Sequence, residues 1–233
     1  MPPTRVRPVV LATPAVSPES GSAAVASTVQ GFYHRGMTGL ADRPLVALLD
    51  VVASTDPAPG GGSSAALAAA LAASLLEMAA CLELARETPD PALTEALPNR
   101  ARELRAQALA LADRDLSSYV PVIDARRLPA GHPERAERLE GALTEASRVP
   151  LAIAEAATEA AELGARVTIA SNPAVRGDAL AGVLIAEAAA AAAVSLVELN
   201  LAGRDDVDLA RARDARRRAH EAREDALATL PRT

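Results

Sequence analysis

Apolar residues recur at helical spacing along most of the chain after residue 40, and proline- or glycine-rich segments separate these stretches. The pattern predicts six or seven mostly long helices and calls for no strand. The approximate limits, in chain order, are 42–53, 63–86, 90–125, 133–164, 175–201 and 205–230. Pro150 stands inside the fourth segment and predicts a kink or a break there. We therefore expect an all-α bundle without a sheet.

Two of the predicted helices, 63–86 and 175–201, are apolar on nearly every side. Such a helix is buried either in a bundle or in a membrane, and 63–86 approaches the roughly 20 residues needed to span a bilayer. However, alanine is weakly hydrophobic, Glu77 and Glu83 interrupt the run, and no aromatic belt flanks it. We expect a central bundle helix and no membrane partner.

Residues 1–39 differ from the rest of the chain. They contain five prolines and no helical period, so we expect a disordered tail before a helical domain at 40–233. The run from Val9 to Ala12 is too short for the apolar region of a signal peptide. Met37 is a plausible alternative start.

Composition supports the helical prediction and narrows the function. Half of the residues are hydrophobic but only 1% are aromatic, and alanine, leucine, arginine and glutamate are strong helix formers. The net charge of −6 argues against a nucleic-acid partner. Cys81 is the single cysteine and is expected to be a small core residue, and the three histidines lack metal-ligand spacing. We expect a cytoplasmic, metal-independent protein.

The clearest candidate binding segment is Gly60, Gly61 and Gly62, followed by Ser63 at the start of a helix. Glycines let a ligand approach the backbone, and the helix start offers free amide donors and a positive dipole end. The segment lacks the Gly-Lys-Ser/Thr ending of a phosphate-binding loop, and no strand precedes it as in a dinucleotide site. An ordinary turn with Ser63 as the helix cap is the alternative.

Two further pairs of residues carry candidate chemistry. Asp115 and Tyr119 are one helical turn apart and so share a face, and Tyr119 is the sole aromatic residue expected in the folded domain. Asn172 and Asp178 bracket the start of the helix 175–201. Packing for Tyr119, and capping for the acidic and amide groups, are the alternatives. Any catalysis must use carboxylates, hydroxyls, backbone donors and arginine.

These motifs, taken in order, resemble the formimino-tetrahydrofolate cyclodeaminase / methenyl-tetrahydrofolate cyclohydrolase family. The resemblance covers about residues 40–215 and rests on five segments. They are Pro57-Ala58-Pro59-Gly60-Gly61-Gly62-Ser63, Asp115 with Tyr119, Val149-Pro150-Leu151, Asn172 with Gly177-Asp178-Ala179, and Leu199-Asn200-Leu201.

The resemblance implies an enzyme that acts on a tetrahydrofolate derivative, holds no tightly bound cofactor and forms a homodimer. It implies that Asp178 and Asp115 are catalytic. Substrate binding then falls to Gly60, Gly61, Gly62, Ser63, Tyr119 and Asn172, which we expect to share one folate-sized cleft with Asp178. Arg126, Arg148 and Arg176 are candidates for holding the glutamyl carboxylate of the folate.

The resemblance leaves the reaction open. Either hydrolysis of 5,10-methenyl-tetrahydrofolate or deamination of 5-formimino-tetrahydrofolate fits, and the length of the chain, which leaves no room for a formiminotransferase domain, favours hydrolysis. Three positions depart from the family pattern: Ala130 stands where lysine is frequent, Gly177 where serine is usual, and Leu196 where asparagine is expected. A catalytically impaired folate-binding or regulatory protein, or a helical dimerisation module, are the alternatives.

Overall fold

The computed structural model describes residues 39–56 and 58–230, and these residues form a helical bundle without a strand. A 3-10 turn at Leu40–Asp42 precedes seven α-helices. They are α1 (Leu45–Val52), α2 (Gly61–Leu84), α3 (Ala96–Ser118), α4 (Val120–Arg127), α5 (Arg135–Ala170), α6 (Pro173–Asn200) and α7 (Val207–Leu227). The predicted all-α fold is confirmed. Apart from Gly39, the predicted tail lies outside the described residues.

Two helix predictions need correction. The segment 90–125 was predicted as one helix, but it forms α3 and α4, with the junction at Tyr119. Pro121 explains the junction, because proline has no N–H and its ring clashes with the carbonyl four residues earlier. Conversely, Pro150 was predicted to kink or break its helix, and the break is absent, since α5 runs through it without interruption.

The bundle is organised around α2 and α6, which pack antiparallel. Gly61 lies beside Leu196 at one end of the pair, and Glu83 bonds to Asn172 at the other. α3 flanks α2, α7 flanks α6, and α5 lies behind and contacts all four. A β-carbon on Gly182 would lie 2.8 Å from Leu76 Cδ2, which shows how closely α2 and α6 approach. Small side chains therefore set the spacing of the core helices.

α2 and α6 are also long and apolar enough to cross a membrane, judged by length and composition. About half of each apolar window is buried inside the bundle, 50% in α2 and 44% in α6. Core helices of helical bundles meet the same criteria, so the expectation of no membrane partner stays a prediction. The described residues leave part of the outward-facing side of both helices exposed. Cys81, predicted to be a core residue, is exposed on α2.

Candidate functional site

A cavity of about 190 Å³ lies where the first turn of α2 meets the C-terminal ends of α3 and α6. It brings together five of the predicted site residues: Gly60, Gly61, Gly62, Asp115 and Tyr119. The remaining lining residues are Ala58, Leu116, Ser118, Ala146, Pro150, Leu196 and Asn200. Ser63 lies directly behind the wall, fully buried and bonded to Asp115.

Asp115 is the ionisable group of this cavity. Its Oδ2 accepts hydrogen bonds from the Ser63 backbone N–H at 2.7 Å and from Ser63 Oγ at 3.0 Å. No described residue forms an ion pair with it. Burial raises the pKa of the Asp115 carboxyl, and the bonds from Ser63 and Ser118 oppose that rise. A carboxyl in such a place can exchange a proton with a bound molecule closer to neutral pH than an exposed one.

Gly62 makes the position of Asp115 possible. A β-carbon on Gly62 would lie 2.2 Å from Asp115 Oδ1, well inside van der Waals contact. At Gly61 the nearest atom would be Leu196 Cδ2 at 3.9 Å, an ordinary contact. The three glycines therefore serve different purposes: the missing side chain of Gly62 leaves room for the carboxylate, whereas Gly61 borders the cavity itself.

Tyr119 stands at the mouth of the cavity, with 37% of its surface exposed. The Arg126 guanidinium carbon lies 5.7 Å from the centre of its ring, within cation–π range. The other two candidate arginines are held elsewhere. Arg148 pairs with Glu145 at 2.9 Å, and Arg176 donates to the Ser171 carbonyl at 2.7 Å. Of the three arginines, Arg126 is the one whose guanidinium lies over a side chain that lines the cavity.

Pro150 leaves the backbone carbonyl of Ala146 without its helical donor, beside the cavity. Because proline has no N–H, the Ala146 carbonyl has no helical donor four residues later. Asn200 Nδ2 lies 3.5 Å from that carbonyl oxygen, a distance at which any bond is weak. Ala146, Pro150 and Asn200 all line the cavity, so a carbonyl and an amide are available to a ligand. Sequence reasoning noted Pro150 and Asn200 in the family pattern but assigned them no role, although a proline inside a helix signals a free carbonyl.

Asn172 and Asp178 do not lie at this cavity. Asp178 is on α6, 18 residues before Leu196, which is about 27 Å along the helix axis. Asn172 caps α6: its Oδ1 accepts from the Ala174 N–H at 2.7 Å, and its own N–H donates to Glu83 at 3.1 Å. A single cleft holding the glycine turn and Asp178 within one chain is therefore wrong.

The described residues around Asp178 do not form a second candidate site. Its side chain is exposed and forms no hydrogen bond or ion pair with a described residue. Within residues 39–56 and 58–230, no three histidine, cysteine or acidic side chains are placed to hold a metal ion.

The three departures from the family pattern occupy different environments. Leu196 lines the cavity and faces Gly61. Gly177 is exposed, and a β-carbon there would meet no atom within 4 Å, so a serine would fit without a shift. Ala130 is exposed in the turn after α4. Only Leu196 among these three alters the cavity within one chain.

Two larger clefts lie elsewhere on the described surface. The one between α3 and α5 has a volume of about 630 Å³, but its Arg100 is held by Glu159 at 2.5 Å and by Glu103 at 2.7 Å. The one beside α4 has about 620 Å³ and is lined by Asp124 and Arg138 among mostly apolar neighbours. The acidic side chains that line these clefts are exposed or paired with arginine, whereas the half-buried Asp115 has no cationic partner in the described chain. The small cavity at Asp115 is therefore the better candidate for chemistry.

Comparison with known proteins finds relatives of this chain. A model of the Formiminotransferase-cyclodeaminase family matches residues 44–219. The chain is 32% identical over 165 residues to a methenyltetrahydrofolate cyclohydrolase of Methylorubrum extorquens, covering 68% of this chain and 79% of the relative. It is 31% identical to the formimidoyltransferase-cyclodeaminase of Sus scrofa, of which it spans 27%.

A solved structure is similar as well. The formiminotetrahydrofolate cyclodeaminase of Thermotoga maritima shares the fold with a TM-score of 0.72 at 22% identity, over 81% of this chain and 96% of that one. The family match covers the glycine turn, Asp115, Pro150 and the whole of α6. The chain therefore belongs to the formiminotransferase-cyclodeaminase family.

Proposed function

We propose that this chain hydrolyses 5,10-methenyl-tetrahydrofolate to 10-formyl-tetrahydrofolate at the Asp115 cavity. The observation that carries the proposal is a half-buried carboxyl that faces a cavity beside a helix start, with a raised pKa and no cationic partner in the described chain. The similarity to a cyclohydrolase over most of both chains supports this reaction. We also propose that the protein acts in the cytoplasm, as a homodimer and without a tightly bound cofactor.

In this reaction the protein has to attract a cationic substrate and transfer protons. The methenyl carbon joins N5 and N10 in an amidinium-like cation, which an ionised Asp115 attracts. Water adds to this carbon and Asp115 accepts one of its protons. The hydroxyl proton of the adduct then passes to N5 as the bond between N5 and the carbon breaks. The formyl group stays on N10, and one proton is released overall.

The size of the cavity limits what it holds. About 190 Å³ is less than the roughly 300–1,000 Å³ of a site that encloses a drug-sized ligand. We propose that the reacting ring system enters the cavity, with Gly60 and Gly61 against its polar edge. The aminobenzoyl ring then packs on Tyr119, and the glutamyl carboxylate pairs with Arg126. Ser63 holds Asp115, and Asn172 positions the start of α6.

Deamination of 5-formimino-tetrahydrofolate is the closest alternative reaction. There N10 attacks the formimino carbon and ammonia leaves, so the same carboxyl would transfer the protons. A second candidate is a folate-binding protein with impaired catalysis. Leu196 favours it, because an apolar side chain occupies a cavity position where the family pattern has asparagine.

One experiment separates these functions. Purified protein is mixed with 5,10-methenyl-tetrahydrofolate, and the loss of its absorbance is followed; ammonia release is measured in parallel with the formimino substrate. We expect loss of the methenyl absorbance well above the uncatalysed rate. Ammonia release without methenyl hydrolysis would select the cyclodeaminase. Binding without either reaction, with activity restored by Leu196→Asn, would select the impaired protein.

A further inference from the structure

Pro150 leaves a buried carbonyl without its helical donor at the edge of the cavity. The ring nitrogen of Pro150 carries no hydrogen, so the Ala146 carbonyl lacks the N–H that a helix otherwise supplies. Both residues are buried, and both line the cavity. An interior proline costs a helix stability, and α5 nevertheless continues through it. Local costs of this kind are expected where a function needs them.

Asn200 lies next to this carbonyl, and its hydrogen-bonding groups are only partly used. It is the last residue of α6, and its half-buried side chain also lines the cavity. Asn200 Nδ2 is 3.5 Å from the Ala146 oxygen, and the described residues offer its side chain no other hydrogen bond. An amide carries two N–H groups, and a backbone carbonyl has two lone pairs. Even with this weak contact, one N–H of Asn200 and one lone pair of Ala146 stay available.

The two groups form an adjacent acceptor and donor on one side of the cavity. They come from α5 and α6, whereas the Asp115 carboxyl and the glycine turn come from α3 and the start of α2. An acceptor beside a donor is complementary to a ring that has an N–H next to a C=O. The pyrimidinone ring of a folate has such an edge, with the hydrogen on N3 and the oxygen on C4. The cavity thus combines one ionisable group with a neutral pair suited to hold this ring.

We propose that the Ala146 carbonyl and the Asn200 amide bind the N3–C4 edge of the substrate's pterin ring. The carbonyl accepts the N3–H, and the amide donates to the oxygen on C4. Pro150 is a positioning residue, because it keeps the carbonyl free of a helical donor. The proposal rests on the proposed function and deepens it, since it states which edge of the ring lies against α5 and α6. Gly60 and Gly61 then contact the ring from the side of α2.

The carbonyl, rather than the amide, decides which ligands fit. An asparagine side chain can rotate and present either its oxygen or its nitrogen, whereas a backbone carbonyl only accepts. A ring with a bare nitrogen in place of the N3–H would set a lone pair against the Ala146 oxygen. A buried acceptor that meets another acceptor has no hydrogen bond and is repelled. Pro150 therefore determines a preference for a ring with an oxo group on C4 over one with an amino group there.

Pro150→Ala separates this role from a structural one. Alanine returns an N–H to α5, which bonds to the Ala146 carbonyl and withdraws it from the ligand. We expect an unchanged or higher midpoint of denaturant unfolding, because the helix regains a bond. By calorimetry, 5-formyl-tetrahydrofolate, which lacks the methenyl bridge, should bind about tenfold more weakly, the equivalent of one hydrogen bond. Unchanged binding would overturn the proposal, and so would weaker binding with a lower midpoint, which is the result of a purely structural role.

Pro173→Ala is the matched control for this substitution. Pro173 is exposed at the first position of α6, where an N–H has no helical acceptor, so alanine adds no helical bond there. It also lies at the end of α6 opposite to Asn200. Binding of 5-formyl-tetrahydrofolate should equal that of wild type. If Pro173→Ala weakened binding as much as Pro150→Ala, the effect at position 150 would not be local and the proposal would fail.

Two ligands that differ at one edge of the ring test the preference directly. The 4-amino-4-deoxy counterpart of 5-formyl-tetrahydrofolate has an amino group on C4 and no hydrogen on N3, so its donor and acceptor are exchanged. Wild type should bind it at least about tenfold more weakly than the parent, and Pro150→Ala should narrow this difference. A wild type without preference contradicts the proposal, as does a Pro150→Ala protein that keeps the full preference.

Asn200→Leu and Asn200→Gln test the donor. Leucine has a similar size but no amide, so KM for 5,10-methenyl-tetrahydrofolate should rise about tenfold while kcat stays within about threefold of wild type. The reason is that the ring edge is held alike before and during the reaction. Glutamine keeps the amide and should restore part of the binding. A fall in kcat with an unchanged KM would count against the assignment.

The binding measurements need no turnover, so the subsite and the proposed function fail separately. A protein that hydrolyses 5,10-methenyl-tetrahydrofolate without distinguishing the two ligands has the proposed function but not this subsite. One that distinguishes the ligands without hydrolysis has the subsite but not the proposed reaction. A protein that binds neither ligand has neither.

Discussion

At both ends of the α2–α6 pair, a carboxylate accepts hydrogen bonds at the start of a helix, but the two carboxylates serve different purposes. At one end, the Asp115 carboxylate accepts the Ser63 N–H at the start of α2. At the other, the Glu83 carboxylate accepts the Asn172 N–H and side-chain amide at the start of α6. An acidic side chain from another helix thus holds each helix start. Asp115 accepts an amide of the first turn of α2, whereas Glu83 holds Asn172, the residue that caps α6.

The two carboxylates differ in whether a cation pairs with them and in whether a ligand can reach them. Glu83 is fully buried, and Arg86 donates to its second oxygen at 3.0 Å. Asp115 is bonded to neutral serine groups, and its carboxyl borders a cavity. A carboxylate that is paired with a cation stabilises the fold, whereas one without a cationic partner can take up and release a proton. The comparison predicts that the first is needed for stability and the second for chemistry.

The largest effect is expected at Asp115. Asp115→Asn keeps an acceptor for Ser63 but removes the charge and the exchangeable proton, so kcat should fall by about 10²–10⁴-fold. The measurement is turnover of methenyl-tetrahydrofolate at saturation. Asp113→Asn is the control, because Asp113 lies on the same helix and accepts the Leu40 N–H at 2.7 Å without lining the cavity. An Asp115→Asn enzyme with more than a tenth of wild-type kcat contradicts the assignment.

Glu83→Ala tests the role of the carboxylate at the other end of the α2–α6 pair. Removing the buried carboxylate leaves the Asn172 N–H and amide without an acceptor, so the free energy of unfolding should fall by about 2–3 kcal/mol. Denaturant unfolding measures this change. Glu83→Gln keeps an acceptor oxygen and should lose less. Turnover per folded molecule should fall far less than in Asp115→Asn; an equal fall would remove the distinction between the two ends.

Gly62→Ala and Gly61→Ala form a matched pair. The added methyl group at position 62 meets the Asp115 carboxylate, so we expect a loss of about 1–3 kcal/mol in stability and a fall in turnover. At position 61 the same group has room, and alanine favours the helix, so stability should hold or rise slightly. Thermal unfolding and activity of both variants check the prediction, and equal behaviour would count against it.

The smallest effect is on the pH dependence of stability. The pKa of Asp115 is raised on folding, so the folded state binds its proton more tightly than the unfolded state. This contribution to stability is fully present below the unfolded pKa of about 4 and is lost as pH rises through the folded pKa. Asp115→Asn should therefore gain stability relative to wild type as pH rises from 4 toward neutrality. Denaturant unfolding of both proteins across this range gives the difference, and a constant difference would contradict the shift.

The positions of most helices along the chain could be predicted because they depend on local properties. Alanine and leucine at helical spacing, prolines such as Pro44 and Pro173 at helix starts, and the glycine turn before α2 all act within a few residues. The pairing of Asp115 with Tyr119 in one site also followed from helical spacing. The predicted break at Pro150 does not occur, because the cost of a proline depends on what surrounds the freed carbonyl.

The sequence by itself determined the helices, the all-α fold and the family, since these depend on residue type, spacing and order. Only the tertiary structure decided which end of α6 faces the cavity. Asp178 and Leu196 belong to the same helix, but the 18 residues between them hold them about 27 Å apart, and Asn172 lies farther still from Leu196. Likewise, a glycine is needed at position 62 because the Asp115 carboxylate lies against it. Asp115 is 53 residues away in the sequence and meets Gly62 through the packing of α3 on α2.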